Sequence, residues 1–114
     1  MNKFILILVV IFFSSCSSRK ALYTWANYDA TSYNYNKNRD EKSVAKLIDT
    51  YTKVIDKQKG SRACVPPGIY ADYGFLLIQN NKEEEGKVML GKEITLYPES
   101  KIFIDKILQM IEND

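Results

Sequence analysis

Three acidic side chains, Asp72, Glu93 and Glu99, stand where a carboxylate pair could be built. Such a pair flanks the scissile bond in glycoside hydrolysis, about 5 Å apart when one carboxylate is the nucleophile and up to about 9 Å when water attacks. The same residues have simpler duties. Asp72 and Glu99 fall at helix starts, where negative charge is favoured, and Glu93 falls where a side chain points into a groove between helices. Ser100 would need a base to act as a nucleophile. The 114-residue chain has no histidine, which excludes Ser-His-Asp and Cys-His catalysis and HExxH zinc sites. Two cysteines, Cys16 and Cys64, are too few for a zinc ribbon. No catalytic residue, metal or cofactor is expected.

The thiol of Cys16 has a different chemistry. Lys3 and the apolar run Phe4 to Phe13 precede Phe13-Ser14-Ser15-Cys16. Ten apolar residues are about half of the roughly 20 that span a bilayer; a positive start, a short apolar run and a small-residue end describe a secretory signal. Phe13 to Cys16 looks like a bacterial lipobox, whose small residues admit the protease and whose cysteine carries diacylglycerol. Residues 1–15 are therefore expected to be a signal peptide, and 16–20 a lipidated tether. Two or more acyl chains hold a protein firmly to a membrane. Ser17 in place of Asp carries no inner-membrane retention signal, so the expected location is the outer membrane, and the non-acidic tether Ser17-Ser18-Arg19-Lys20 carries no surface-export signal, so the expected facing is periplasmic. Cleavage would leave 99 residues with 15 basic against 14 acidic, enough for one modest core. That balance gives no reason to expect nucleic acid. Cys64, deprived of a partner, either fills a small apolar space or pairs with a cysteine on another molecule.

The elements that position these groups read as helices. Leu22, Trp25 and Tyr28 keep helical spacing, so Ala21 to Asn36 is expected to be helical. Its aromatics either fill the interface with the rest of the domain, the favoured reading, or stack on a sugar or a partner peptide. Tyr33 and Tyr35 are the pair expected to be exposed. Asn38 and Glu41 suggest a capping box ahead of an amphipathic helix through Val44, Leu47, Ile48, Tyr51 and Ile55, ended by Gly60. After the loop 58–68, Pro67 opens a helix over Ile69 to Ile78. Another runs from Lys82 to Tyr97, with Glu83, Glu84 and Glu85 in its first turn, and a last from Glu99 to Ile111, with Phe103, Ile104, Ile107, Leu108 and Ile111 on one broad face.

Setting Pro98 at the closing position of a 34-residue tetratricopeptide pattern puts an aromatic at Tyr70 and small residues at Gly74 and Gly86. A mid-helix glycine costs about 1 kcal/mol relative to alanine, so close approach of two helix backbones is the expected reason for both. The upstream hairpin cannot share that strict period, because the loop before Pro67 is too long. The expected fold is all-α: two antiparallel, tetratricopeptide-like hairpins over 21–114 with a C-terminal capping helix.

Tyr23-x-Trp25-x-x-Tyr28, the block Pro66-Pro67-Gly68-Ile69-Tyr70-Ala71-Asp72-Tyr73-Gly74 and the ending Tyr97-Pro98-Glu99-Ser100 together resemble a family of small bacterial lipoproteins with a domain of unknown function. The resemblance covers nearly the whole mature chain and implies neighbours: a lipoprotein similar to the curli-secretion pore and a third small lipoprotein. It implies no catalytic residues. The expected function is that of a non-enzymatic adaptor, gripping an envelope lipoprotein through the concave side of its helices with Tyr33, Tyr35, Tyr70 and Tyr73. The rival expectation is a periplasmic glycan-binding or glycan-hydrolysing protein using Asp72 and Glu93.

Overall fold

A computed structural model describes residues 2–13 and 18–114; Cys16, the expected acylation site, lies outside the described residues. Among the described residues six α-helices follow one another: α1 (Lys3–Phe13), α2 (Tyr28–Asn38), α3 (Glu41–Asp56), α4 (Ile69–Gln79), α5 (Glu83–Leu96) and α6 (Lys101–Glu112). A 3₁₀ turn, Pro98–Ser100, joins the last two. The described residues contain no strand, so the fold is all-α. At about 1.5 Å per residue the 11 residues of α1 reach about 16 Å, and no described helix is long and apolar enough to cross a membrane.

Two hairpins make up the body. Helix α2 packs on α3, and α4 packs on α5. The buried positions Ser43, Leu47, Thr50 and Val54 of α3 recur 43 residues on as Gly86, Leu90 and Glu93 of α5 and the half-buried Tyr97. The second helices of the two hairpins thus share one burial pattern at a spacing longer than the tetratricopeptide 34, and the 57–68 loop lies between them. One apolar cluster, Leu47, Tyr51, Val54, Val65, Ile69 and Leu76, joins the hairpins. A second, Ala71, Leu90 and Ile104, seats α6.

The closest helix approach lies at the second hairpin. A Cβ on Gly74 would stand 2.7 Å from the carbonyl oxygen of Gly86, and one on Gly86 would stand 2.5 Å from that of Gly74. No side chain fits between those backbones.

Three local expectations are corrected. The helix expected over Ala21 to Asn36 is α2, which starts at Tyr28, not Ala21. Ala26 takes a left-handed backbone (φ 49°), and residues 21–24 turn their polar groups to the 58–62 loop. Ser61 N donates to Ala21 O at 2.9 Å and Arg62 N to Leu22 O at 3.1 Å. Gln58 holds both sides of Thr24, accepting from its N at 2.9 Å and donating to its O at 2.5 Å. Gly60 accordingly does not end α3, which stops at Asp56; it is buried where a Cβ would fall on Leu22 and Tyr23. Phe103 is 63% exposed, because Ile104 takes the centre of the inward arc of α6.

The cap of α3 also differs. Asp40, not Asn38, caps the helix, and Ser43, not Glu41, completes the box: Ser43 N donates to Asp40 Oδ1 at 2.8 Å and Asp40 N to Ser43 Oγ at 3.1 Å. The bond from the Ser43 backbone, then that from its hydroxyl, hold the Asp40 carboxyl below its ordinary 3.8. A depressed carboxyl stabilises the fold above its unfolded pKa, and that contribution disappears as pH falls through the folded value. Asp40→Ala is therefore expected to lower Tm by a few degrees at about pH 7. The gap should narrow once pH drops well below 3.8, a trend that circular-dichroism melts at several pH values would show or refute.

Candidate protein-binding groove

Helices α2 and α4 run parallel, one from each hairpin, with α3 beneath them. Two tyrosines of α2 reach across to α4: Tyr28 Oη donates to Asp72 Oδ2 at 2.9 Å, and Tyr35 Oη to Gln79 Oε1 at 3.5 Å. Each bridge joins residues 44 apart, and the bridges are two helical turns from each other, so they fix α2 and α4 in one register. Between them opens a groove of about 300 Å³, floored by Leu47, Tyr51 and Leu76 and rimmed by Asn36, Arg39 and Phe75.

Its chemistry is mixed. Burial within the groove raises the Asp72 carboxyl above its ordinary value, although the residue as a whole stays exposed, and the bond from Tyr28 opposes the rise. Burial, then the neighbouring Asp72 charge, raises the Tyr28 and Tyr51 phenols. Arg39, in a left-handed conformation just past α2 (φ 49°), has no ion-pair partner among the described residues. An apolar floor between a carboxylate at one end and a guanidinium at the other suits a peptide segment bearing both kinds of group.

The four tyrosines expected to bind a partner do not come together. Tyr33 is 70% exposed on the outside of α2, and Tyr35 is half-buried in the groove wall. Tyr70 and Tyr73 face the other way, into a smaller recess of about 180 Å³ shared with Ile55, Met89 and Lys92. The Lys92 ammonium sits 5.8 Å above the Tyr70 ring. Tyr73 stacks on Tyr51 at 5.3 Å, the last step of a ladder running Tyr23, Trp25, Tyr28, Tyr51, Tyr73 with centroid spacings of 6.3, 5.9 and 5.8 Å before it. Through the Tyr28 ring on Tyr51 the ladder ties the N-terminal segment to the core, the favoured of the two sequence readings, while Trp25 keeps 43% of its surface exposed.

Asp72 and Glu93 are also separated. Asp72 lines the groove, whereas Glu93 is 1% exposed behind Gly68, whose N–H donates to its Oε1 at 2.7 Å. Gly68 has φ 92°, and the buried carboxylate caps the start of α4 from a neighbouring helix. Cys64 is half-buried, its Sγ 3.7 Å from Tyr97 Oη, which donates to Val65 O at 2.6 Å. Sequence reasoning missed Arg39, Phe75 and Gln79. The signal that could have found Gln79 is the matched spacing of Tyr28 with Tyr35 and of Asp72 with Gln79.

The fold and groove define a small all-α protein of two helical hairpins and a C-terminal helix, with an open face between α2 and α4. The chain belongs to the family described as "Domain of unknown function (DUF4810)", whose model matches residues 22–107. That span opens at the edge of the aromatic ladder and closes inside α6. No curated protein matches the chain, and no solved structure does.

Proposed function

We propose that the chain is an outer-membrane lipoprotein that faces the periplasm and works as a non-enzymatic adaptor for an envelope or secretion-associated lipoprotein complex. Acylated Cys16 anchors it to the bilayer, and the groove between α2 and α4 takes a segment of a protein partner, the pore-like lipoprotein implied by the family resemblance. The observation that carries this reading is the groove itself: an apolar floor, hydroxyl-bridged walls, and charge of opposite sign at Asp72 and Arg39. The separation of Asp72 from the enclosed Glu93 favours an adaptor over the glycan-hydrolysing alternative, which needs two carboxylates in one cleft.

A photo-crosslinker at Asn36, on the groove rim, is expected to capture the pore-like lipoprotein from intact envelopes. One at the exposed Val88 of α5, outside the groove, is expected to capture none. Removing both Arg39 and Phe75 side chains should reduce capture by roughly tenfold, the loss of a charged or apolar anchor. Equal capture from both crosslinker positions, or recovery of peptidoglycan alone, would sink the groove assignment.

A further inference from the structure

The charge on this chain is unevenly placed. Residues 18–28 and 57–68 carry Arg19, Lys20, Lys57, Lys59 and Arg62 and no acidic residue. With Lys3 set aside, the other ten basic residues share the chain with all fourteen acidic ones. The fold laces the two basic segments into one surface. Besides the bonds from Ser61 and Arg62 to Ala21 and Leu22, Lys59 N donates to Thr24 Oγ1 at 2.9 Å. All five basic side chains are exposed, and none has an ion-pair partner among the described residues. The nearest acidic residues in sequence, Asp29 and Asp56, sit in the adjoining helix ends. The same surface displays two large apolar side chains, Leu22 at 54% exposure and Trp25 at 43%.

We propose that this face lies on the headgroups of an anionic bilayer. Lys57, Lys59, Arg62, Arg19 and Lys20 bind lipid phosphates, while Trp25 and Leu22 enter the interfacial layer. The proposal rests on the anchor reading in one respect, the distance. Ala21 lies five steps along the chain from Cys16, and a fully extended chain covers at most about 3.6 Å per step, so an acyl anchor holds this face within roughly 18 Å of the lipid. Screened attraction decays over about 8 Å at physiological salt, so the tether places the cluster where headgroup charge is still felt. Each Lys or Arg close to an anionic surface adds to binding, and an indole settles at the headgroup level of a bilayer. An acidic protein surface would satisfy the lysines but gives no role to the exposed Trp25 and Leu22 beside them.

Trp25 is the chain's single tryptophan and so reports the contact. The mature, acylated protein is reconstituted in phosphatidylglycerol vesicles and, separately, in phosphatidylcholine vesicles. In phosphatidylglycerol the Trp25 emission is expected to shift to the blue and to be quenched by lipids brominated in the acyl chain. Salt at about 1 M, where screening falls to about 3 Å, should reverse both changes, and so should K57Q/K59Q/R62Q. A membrane-impermeant amine reagent is expected to modify Lys57 and Lys59 several-fold more slowly in phosphatidylglycerol. Identical emission and labelling in the two lipids, or a triple variant that behaves as the wild type, would overturn the proposal. Failure of the anchor reading shows separately, as an unmodified Cys16 in the mass of the mature protein.

Discussion

Gly86→Ala is expected to destabilise the domain by about 2 kcal/mol, while Gly91→Ala, one and a half turns further along the same helix, is expected to stabilise it by up to about 1 kcal/mol. Alanine is the better helix former at both sites, by about 1 kcal/mol. The surroundings decide the sign. The new methyl at Gly86 would lie 2.5 Å from the Gly74 carbonyl oxygen and 2.5 Å from Ile78 Cγ1, whereas nothing lies within 4 Å of the same atom at Gly91. Ile78 can turn aside, but the Gly74 carbonyl belongs to the backbone of α4. Relief therefore requires α4 and α5 to part along the interface that carries Leu77 and Leu90, a distortion costing up to about 3 kcal/mol. For a domain of this size, 1 kcal/mol corresponds to about 4–8 °C in Tm. The melts should move in opposite directions; a parallel shift would mean that the glycines do not set the helix spacing.

Glu93→Ala is the second large effect. Its carboxylate is enclosed, with Oε1 accepting from Gly68 N and Oε2 without a hydrogen-bond partner among the described residues. Hydrogen bonds to charged groups contribute about 1.5–3 kcal/mol, and truncation also leaves a space that the rigid start of α4 cannot close. A loss of about 3 kcal/mol is expected in urea unfolding. Glu93→Gln keeps the accepting oxygen and should restore at least half of that. If the two variants were equally unstable, the Gly68 bond would carry none of the effect, and the unpaired oxygen would need a separate role.

How much of this was written in the sequence depends on the range of the interaction. Helices α3 and α5 were legible because their apolar spacing and acidic starts are local, and the glycine pair was legible because an interior glycine asks for a neighbouring backbone. The start of α2 was misplaced because Leu22, Trp25 and Tyr28 fit a helical period, yet the backbone of residues 21–24 bonds to a loop 34 to 40 residues downstream. No window along the chain contains Gln58 and Thr24 together. Glu93 read as a side chain pointing into a groove between helices. Its meaning came from Gly68, 25 residues upstream, which presents an N–H to a buried acceptor. The tyrosines were grouped as one binding set by type alone. Whether a side chain on α4 faces α2 or α5 depends on helix rotation, which packing determines, so Tyr73 and Asp72, adjacent in sequence, serve opposite sides.

Helix α2 has no buried residue of its own; two phenol bonds at the ends of one stretch and the half-buried rings of Tyr28 and Tyr35 link it to the second hairpin. Regions with few buried apolar contacts open at a small fraction of the global unfolding free energy. The wall of the groove is consequently its most easily detached part, while the floor belongs to the most durable. An arriving segment that supplied its own hydroxyls or amides to Asp72 and Gln79 would compete with Tyr28 and Tyr35 for the same acceptors. Width would then be set by the visitor, and discrimination between visitors would lie in how well each one replaces those two phenols.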